Sequence, residues 1–142
     1  MPHAHASPGD VQAVATMEQQ LAALLLMADG KSKDALEFMT QAAAAEDRTP
    51  YEFGPPVPPK PARELLGEIL LSLGRADLAR VQFELSLLRA PKRALSLLGL
   101  ARSFEQSGDT AAALATYTEL NTIWSKADPE ILKALQGSMR RP

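Results

Sequence analysis

The amino-acid sequence predicts an all-α fold assembled from repeated pairs of antiparallel helices. Apolar residues make up 46% of the 142 but aromatics only 5%, and alanine and leucine supply most of the apolar share. Both are strong helix formers, whereas the residues that favour strands are few. A period of 34 residues runs through the second half. Leu66, Gly67, Leu70, Gly74, Ala79 and Phe83, each stepped forward by 34, land on Leu100, Ala101, Phe104, Gly108, Ala113 and Tyr117. Such a period marks an array in which each unit buries its apolar face against the next. The length allows one domain with its own core.

Residues 1–8 form a tail, and a single domain is expected over 9–138. Ser7-Pro8-Gly9-Asp10 is a helix start, with a Ser cap, Pro at the first helical position and an acid three residues after the cap. The helix that follows carries Val14, Met17, Leu21, Leu24 and Leu25 at three-to-four spacing and stops at Asp29-Gly30. Ser32 is expected to cap a second helix to about Ala45. Five prolines then fall between Pro55 and Pro61. A helix there is excluded, because each proline removes a donor and clashes with the preceding turn; polyproline II is the expected form. Helix three is expected over about Ala62–Leu73, ending at Gly74, and helix four over about Ala76–Arg89 before Pro91. Helix five is expected from about Lys92 to Gln106, and helix six from Asp109 or Thr110 to Trp124. Asp128-Pro129-Glu130 opens a seventh, capping helix over 128–138 that Gly137 closes.

The spacing Leu66-Gly67-x2-Leu70, Gly74, Ala79-x3-Phe83 and Pro91 resembles a tetratricopeptide repeat, as does Leu100-Ala101-x2-Phe104, Gly108, Ala113-x3-Tyr117. Ala22-Ala23-x2-Leu26, Gly30 and Ala35-x3-Met39 form a weaker copy. Three repeats result, at 16–49, 60–93 and 94–127, with a proline-rich insertion at 50–59. The resemblance implies a right-handed superhelix of helix pairs. Small Ala23, Gly67 and Ala101, with Ala35, Ala79 and Ala113, suit close helix crossings, and Met39, Phe83 and Tyr117 fill the space toward the following unit. The chain departs from the family where the motif carries an aromatic, with Gln19, Arg63 and Leu97 there, and at Leu120 and Ser125.

Charge is unevenly spread. Residues 1–48 hold seven acids against three bases, a net of −4, and residues 60–103 hold eight bases against four acids, a net of +4. A solvated surface explains this, as would an acidic partner on the middle segment. With a whole-chain charge of −2 and Phe83 committed to packing, nucleic acid is not an expected partner. There are no cysteines, so disulfides, thiolate nucleophiles and Cys-based metal sites are excluded. The only histidines, His3 and His5, lie in the tail, and Pro2 lacks the amide nitrogen that a copper-type site at the terminus would use. No Gly-rich phosphate loop exists. Glu64 and Glu68 stand one helical turn apart and are expected as exposed neighbours, not an acid–base pair. No catalytic, cofactor-binding or metal-ligating residue is proposed, and no cofactor. The start lacks a signal-peptide pattern, and the longest apolar run, Leu21 to Ala28, is far shorter than a span needs. A chain that binds no membrane and is cytoplasmic by default is the expectation.

The resemblance implies a protein–protein interaction scaffold with a concave groove lined by the first helix of each repeat. Carried over, the groove positions are Gln20 and Leu24, then Glu64, Glu68 and Leu71, then Leu98, Arg102 and Glu105, with Arg102 the expected anchor. The family's carboxylate-clamp positions read Gln20, Leu24, Leu65, Leu95 and Gly99, from which no clamp can be assembled. Tyr51 and Phe53, ahead of the prolines, are candidate contacts of the insertion, bracing the hairpins or lying in the groove. Met17 and Leu24 would face an earlier repeat, or promote self-association. Two rivals stand beside the scaffold reading: a terminal, capping or dimerisation segment of a larger repeat protein, and a regulatory domain of an enzyme outside this chain.

Overall fold

A computed structural model describes residues 7–50, 60–125, 129, 130 and 133. Among them six helices are found and no strand: α1 (Pro8–Ala28), α2 (Ser32–Asp47), α3 (Ala62–Ser72), α4 (Ala76–Arg89), α5 (Ala94–Ser107) and α6 (Thr110–Trp124). About seven were expected. Pro129, Glu130 and Lys133 have helical backbone, and the rest of the expected capping helix lies outside the described residues.

The start of α1 is a reciprocal capping box. The Asp10 amide donates to Ser7 Oγ at 3.1 Å and the Ser7 amide donates to Asp10 Oδ2 at 2.9 Å. The bond from the Ser7 backbone holds the Asp10 carboxyl below its usual range. The three hairpin turns are built alike. Gly30, Gly74 and Gly108 have φ of 74°, 74° and 84°, a left-handed conformation that glycine adopts without a Cβ penalty. After each, an amide reaches back across the helix end: Lys31 to Leu26 O, Arg75 to Leu70 O and Asp109 to Phe104 O, at 2.8–2.9 Å. These are Schellman turns, satisfying carbonyls that a helix end leaves without partners.

Two local expectations are corrected. Ser32 is the first residue of α2 rather than its cap, which is Lys31 with no side-chain bond. Helix five begins at Ala94, because Pro91 and Lys92 are the corners of a turn closed by the Arg93 amide on Ala90 O at 3.2 Å, with Lys92 at φ 64°. That conformation is incompatible with a helix running from Lys92.

Each hairpin packs within itself, and α2 meets α3 as α4 meets α5. The first helices α1, α3 and α5 also touch in series, while the second helices make no contact of comparable extent among the described residues. Small and large residues occupy the interior as their spacing predicts. Ala23, Ala35, Met39, Ala79, Phe83 and Ala101 are completely buried, and Ala113 and Tyr117 nearly so. The ring of Phe83 is the pivot: it lies against the bare backbone of Gly67 on α3 and Gly99 on α5.

Opposed charges of the two segments meet at one junction, where the end of α2 faces α3 and α4. Arg63 binds Asp47 through two nitrogens, with Nε at 3.1 Å. Glu46 Oε2 accepts the Ala62 amide at 2.6 Å, so an acid from the end of α2 caps α3. Arg89 donates to Glu46 O at 2.7 Å and Thr49 O at 3.1 Å. Burial pushes the Glu46 carboxyl up, against the pull of the Ala62 bond. Arg63 thus grips the preceding hairpin by charge.

Candidate functional site

The groove positions separate into three groups. Glu64 and Gln20 are interior. Glu64 is completely buried, which corrects its expected exposure. Arg93 forks onto it, Nε to Oε2 at 2.7 Å and a terminal nitrogen to Oε1 at 3.0 Å. Ser96 Oγ donates to Oε2 at 2.6 Å, and Ser86 Oγ lies 2.9 Å from Ser96 Oγ. The chain Ser86–Ser96–Glu64–Arg93 thereby ties α4, α5 and α3 to the turn before α5. The Glu64 bond holds the Arg93 guanidinium above its usual range, with burial opposing it. Gln20 donates Nε2 to Lys60 O at 2.7 Å and so braces α1 to the approach to α3. Neither side chain is presented to a ligand.

The second group lies at or near the surface of the first-helix layer. Glu68 is half-exposed and pairs with Lys60, whose Nζ is 2.6 Å from Oε1. Leu71 and Leu98 are partly buried, and Leu24 and Arg102 are exposed. Gln106 Nε2 lies 3.5 Å from Leu71 O, which brings the ends of α3 and α5 together. The third group sits toward α6. Tyr117 donates its hydroxyl to Glu105 Oε2 at 3.0 Å, and Arg102 is close enough to act on the same hydroxyl. Tyr51 and Phe53 lie outside the described residues.

Tyr117 gives this corner a measurable signature. Burial first, then the Glu105 bond, pushes its phenol up to about 12. In a Tyr51→Phe background, where Tyr117 is the one remaining tyrosine, phenolate absorbance should therefore appear only near pH 12, and Glu105→Gln should bring it down part of the way, because burial persists. A raised folded-state value favours the protonated form. This contribution to stability is complete below about pH 10, the unfolded value, and is lost as pH rises toward 12. An ordinary titration near pH 10 in the folded Tyr51→Phe chain would refute the placement.

Compared with family models, with curated proteins and with solved structures, the chain gives no match in any of the three. The arrangement must speak for itself. Among the described residues no group of three or more His, Asp or Glu side chains is placed to hold a metal ion, and every buried side-chain nitrogen or oxygen has a hydrogen-bond partner. Among the described helices α1 alone is, by length and composition, apolar enough to cross a membrane, and it stands near the N-terminus. In this fold it packs on α2 with Thr16 and Gln20 buried.

The Ser86–Ser96–Glu64–Arg93 chain escaped sequence reasoning. Its members come from three helices and a turn, and a lone serine on a helix carries no mark of what it will face. The junction at Asp47, Arg63 and Arg89 did leave a trace, the −4 and +4 segments, which meet there.

Proposed function

We propose that the protein is a non-catalytic interaction scaffold that binds a peptide or helix along the surface of α1, α3 and α5. The observation carrying this reading is the layering. First helices that touch in series, beside second helices with no contact of comparable extent among the described residues, support an array curved toward the first-helix side. A tetratricopeptide-like right-handed superhelix has that curvature, and the threefold Schellman turns and the Phe83 lock support the likeness. The recognition surface is Leu71, Leu98 and Arg102, with Glu68 and Leu24 at its margins. Glu64 and Gln20 serve beneath it as supports.

Affinity capture with the full chain beside an Arg102→Glu, Leu98→Glu variant tests the reading, with circular dichroism confirming that the variant is folded. A protein retained by the wild type and lost from the variant is the expected result. Identical captured sets would overturn it.

A further inference from the structure

Helix α1 is packed the wrong way round for an outer helix. The side it buries is small or polar: Ala13, Thr16, Gln20 and Ala23. The side it presents to solvent carries Val11, Val14, Met17, Leu21, Leu24 and Leu25, each 44–60% exposed. Spacing of three and four residues lines these up along one face over the length of the helix, and Glu18 is the one charged residue among them. We propose that this face is covered by a second copy of the chain, the two α1 helices packing antiparallel about Leu21.

Area and charge select that occupant. Side chains of this size, about half exposed, put roughly 350–400 Å² of apolar surface on one copy. Two copies with their polar margins would bury on the order of 1,000–1,200 Å², the lower edge of specific interfaces, so the dimer is weak and reversible. Orientation follows from the ends. A two-fold axis at Leu21 sets Val14 opposite Ala28, Met17 opposite Leu25, and the N-terminal Asp10 beside Lys31. The Asp10 carboxyl is held below its usual range and Lys31 is exposed, so opposite charges meet at both ends of the seam. A parallel pair would set Asp10 beside Asp10 and Glu18 beside Glu18, which is repulsive. The proposal does not rest on the groove reading, although Leu24 belongs to both surfaces.

Sedimentation equilibrium of the full 142-residue chain over about 1–500 µM should show a monomer–dimer equilibrium. Leu21→Glu, at a site exposed in the monomer, should weaken the dimer at least about tenfold while leaving helicity and melting unchanged. Because the chain has no cysteine, orientation can be read by single replacements. Under mild oxidation Leu21→Cys should give a covalent dimer. Val14→Cys should not, because its copies would lie about 21 Å apart along the seam. A chain that stays monomeric throughout, or a dimer indifferent to Leu21→Glu, would overturn the proposal. Cross-linking of both cysteine variants would overturn the antiparallel register. A monomer that cosediments with phosphatidylcholine–phosphatidylserine vesicles and is released by Leu21→Glu would assign the face to a lipid surface instead.

Discussion

Gly99→Ala is expected to destabilise the protein by about 1–3 kcal/mol, although alanine is the better helix former by about 1 kcal/mol. A Cβ at Gly99 would stand 2.2 Å from two carbons of the Phe83 ring. The ring has nowhere to go, since it is completely buried and its other side is against Gly67. Overpacking of a closed site therefore outweighs the propensity gain. At Gly67 the corresponding approach is 2.8–3.0 Å, so Gly67→Ala should cost less. Phe83→Ala should cost about 3–5 kcal/mol through the cavity it leaves. Phe83→Leu should partly rescue Gly99→Ala, with a coupling of about 0.5–3 kcal/mol. Urea unfolding of the four single variants and the double variant measures all of this. Additive costs for Phe83→Leu and Gly99→Ala would mean that the ring and the glycine do not meet.

Arg93→Ala should be the most damaging single change at a charged residue, at about 3–5 kcal/mol, because it leaves the Glu64 carboxylate buried without its fork. Ser96 and Lys60, whose Nζ is 3.9 Å away, compensate only in part. Glu64→Gln should cost less, about 1.5–3 kcal/mol. The Arg93 side chain remains about one-quarter exposed and can turn to water, and glutamine keeps an acceptor for Ser96. The order of the two is the diagnostic. Equal small costs in denaturant titrations would show that the pair is only superficial. The Arg93→Ala, Glu64→Leu double variant should be more stable than Arg93→Ala alone, because removing both charges removes the stranded one.

Periodicity made the helices, the turns at Gly30, Gly74 and Gly108 and the buried small and large positions legible in advance, since each of these depends on local spacing. Two kinds of feature were not. Lys92 broke the expected start of helix five because a left-handed corner at a non-glycine residue leaves no compositional mark. Glu64 was placed at the surface because a glutamate on a helix is usually solvated. Only the approach of Arg93 and Ser96 from elsewhere in the chain makes its burial affordable. Of the candidate groove positions that the resemblance implies, Leu71 and Leu98 are partly buried and Arg102 is exposed, while Gln20 and Glu64 are internal ties. Charge bias shows that the first and second hairpins differ, and geometry shows which of those charges, Asp47, Arg63 and Arg89, join the two.

The junction between those hairpins has an evolutionary corollary. Among the described residues the junction is held by Glu46, Asp47, Arg63 and Arg89, together with Gln20 on Lys60 O. Doubling the length of a connecting segment costs only about 0.6 kcal/mol in closure entropy. Entropy therefore sets little limit on the length of chain between Pro50 and Lys60 while the ties of Glu46, Asp47, Arg63 and Arg89 hold, which makes this connection a place where the fold can take up added length at small entropic cost.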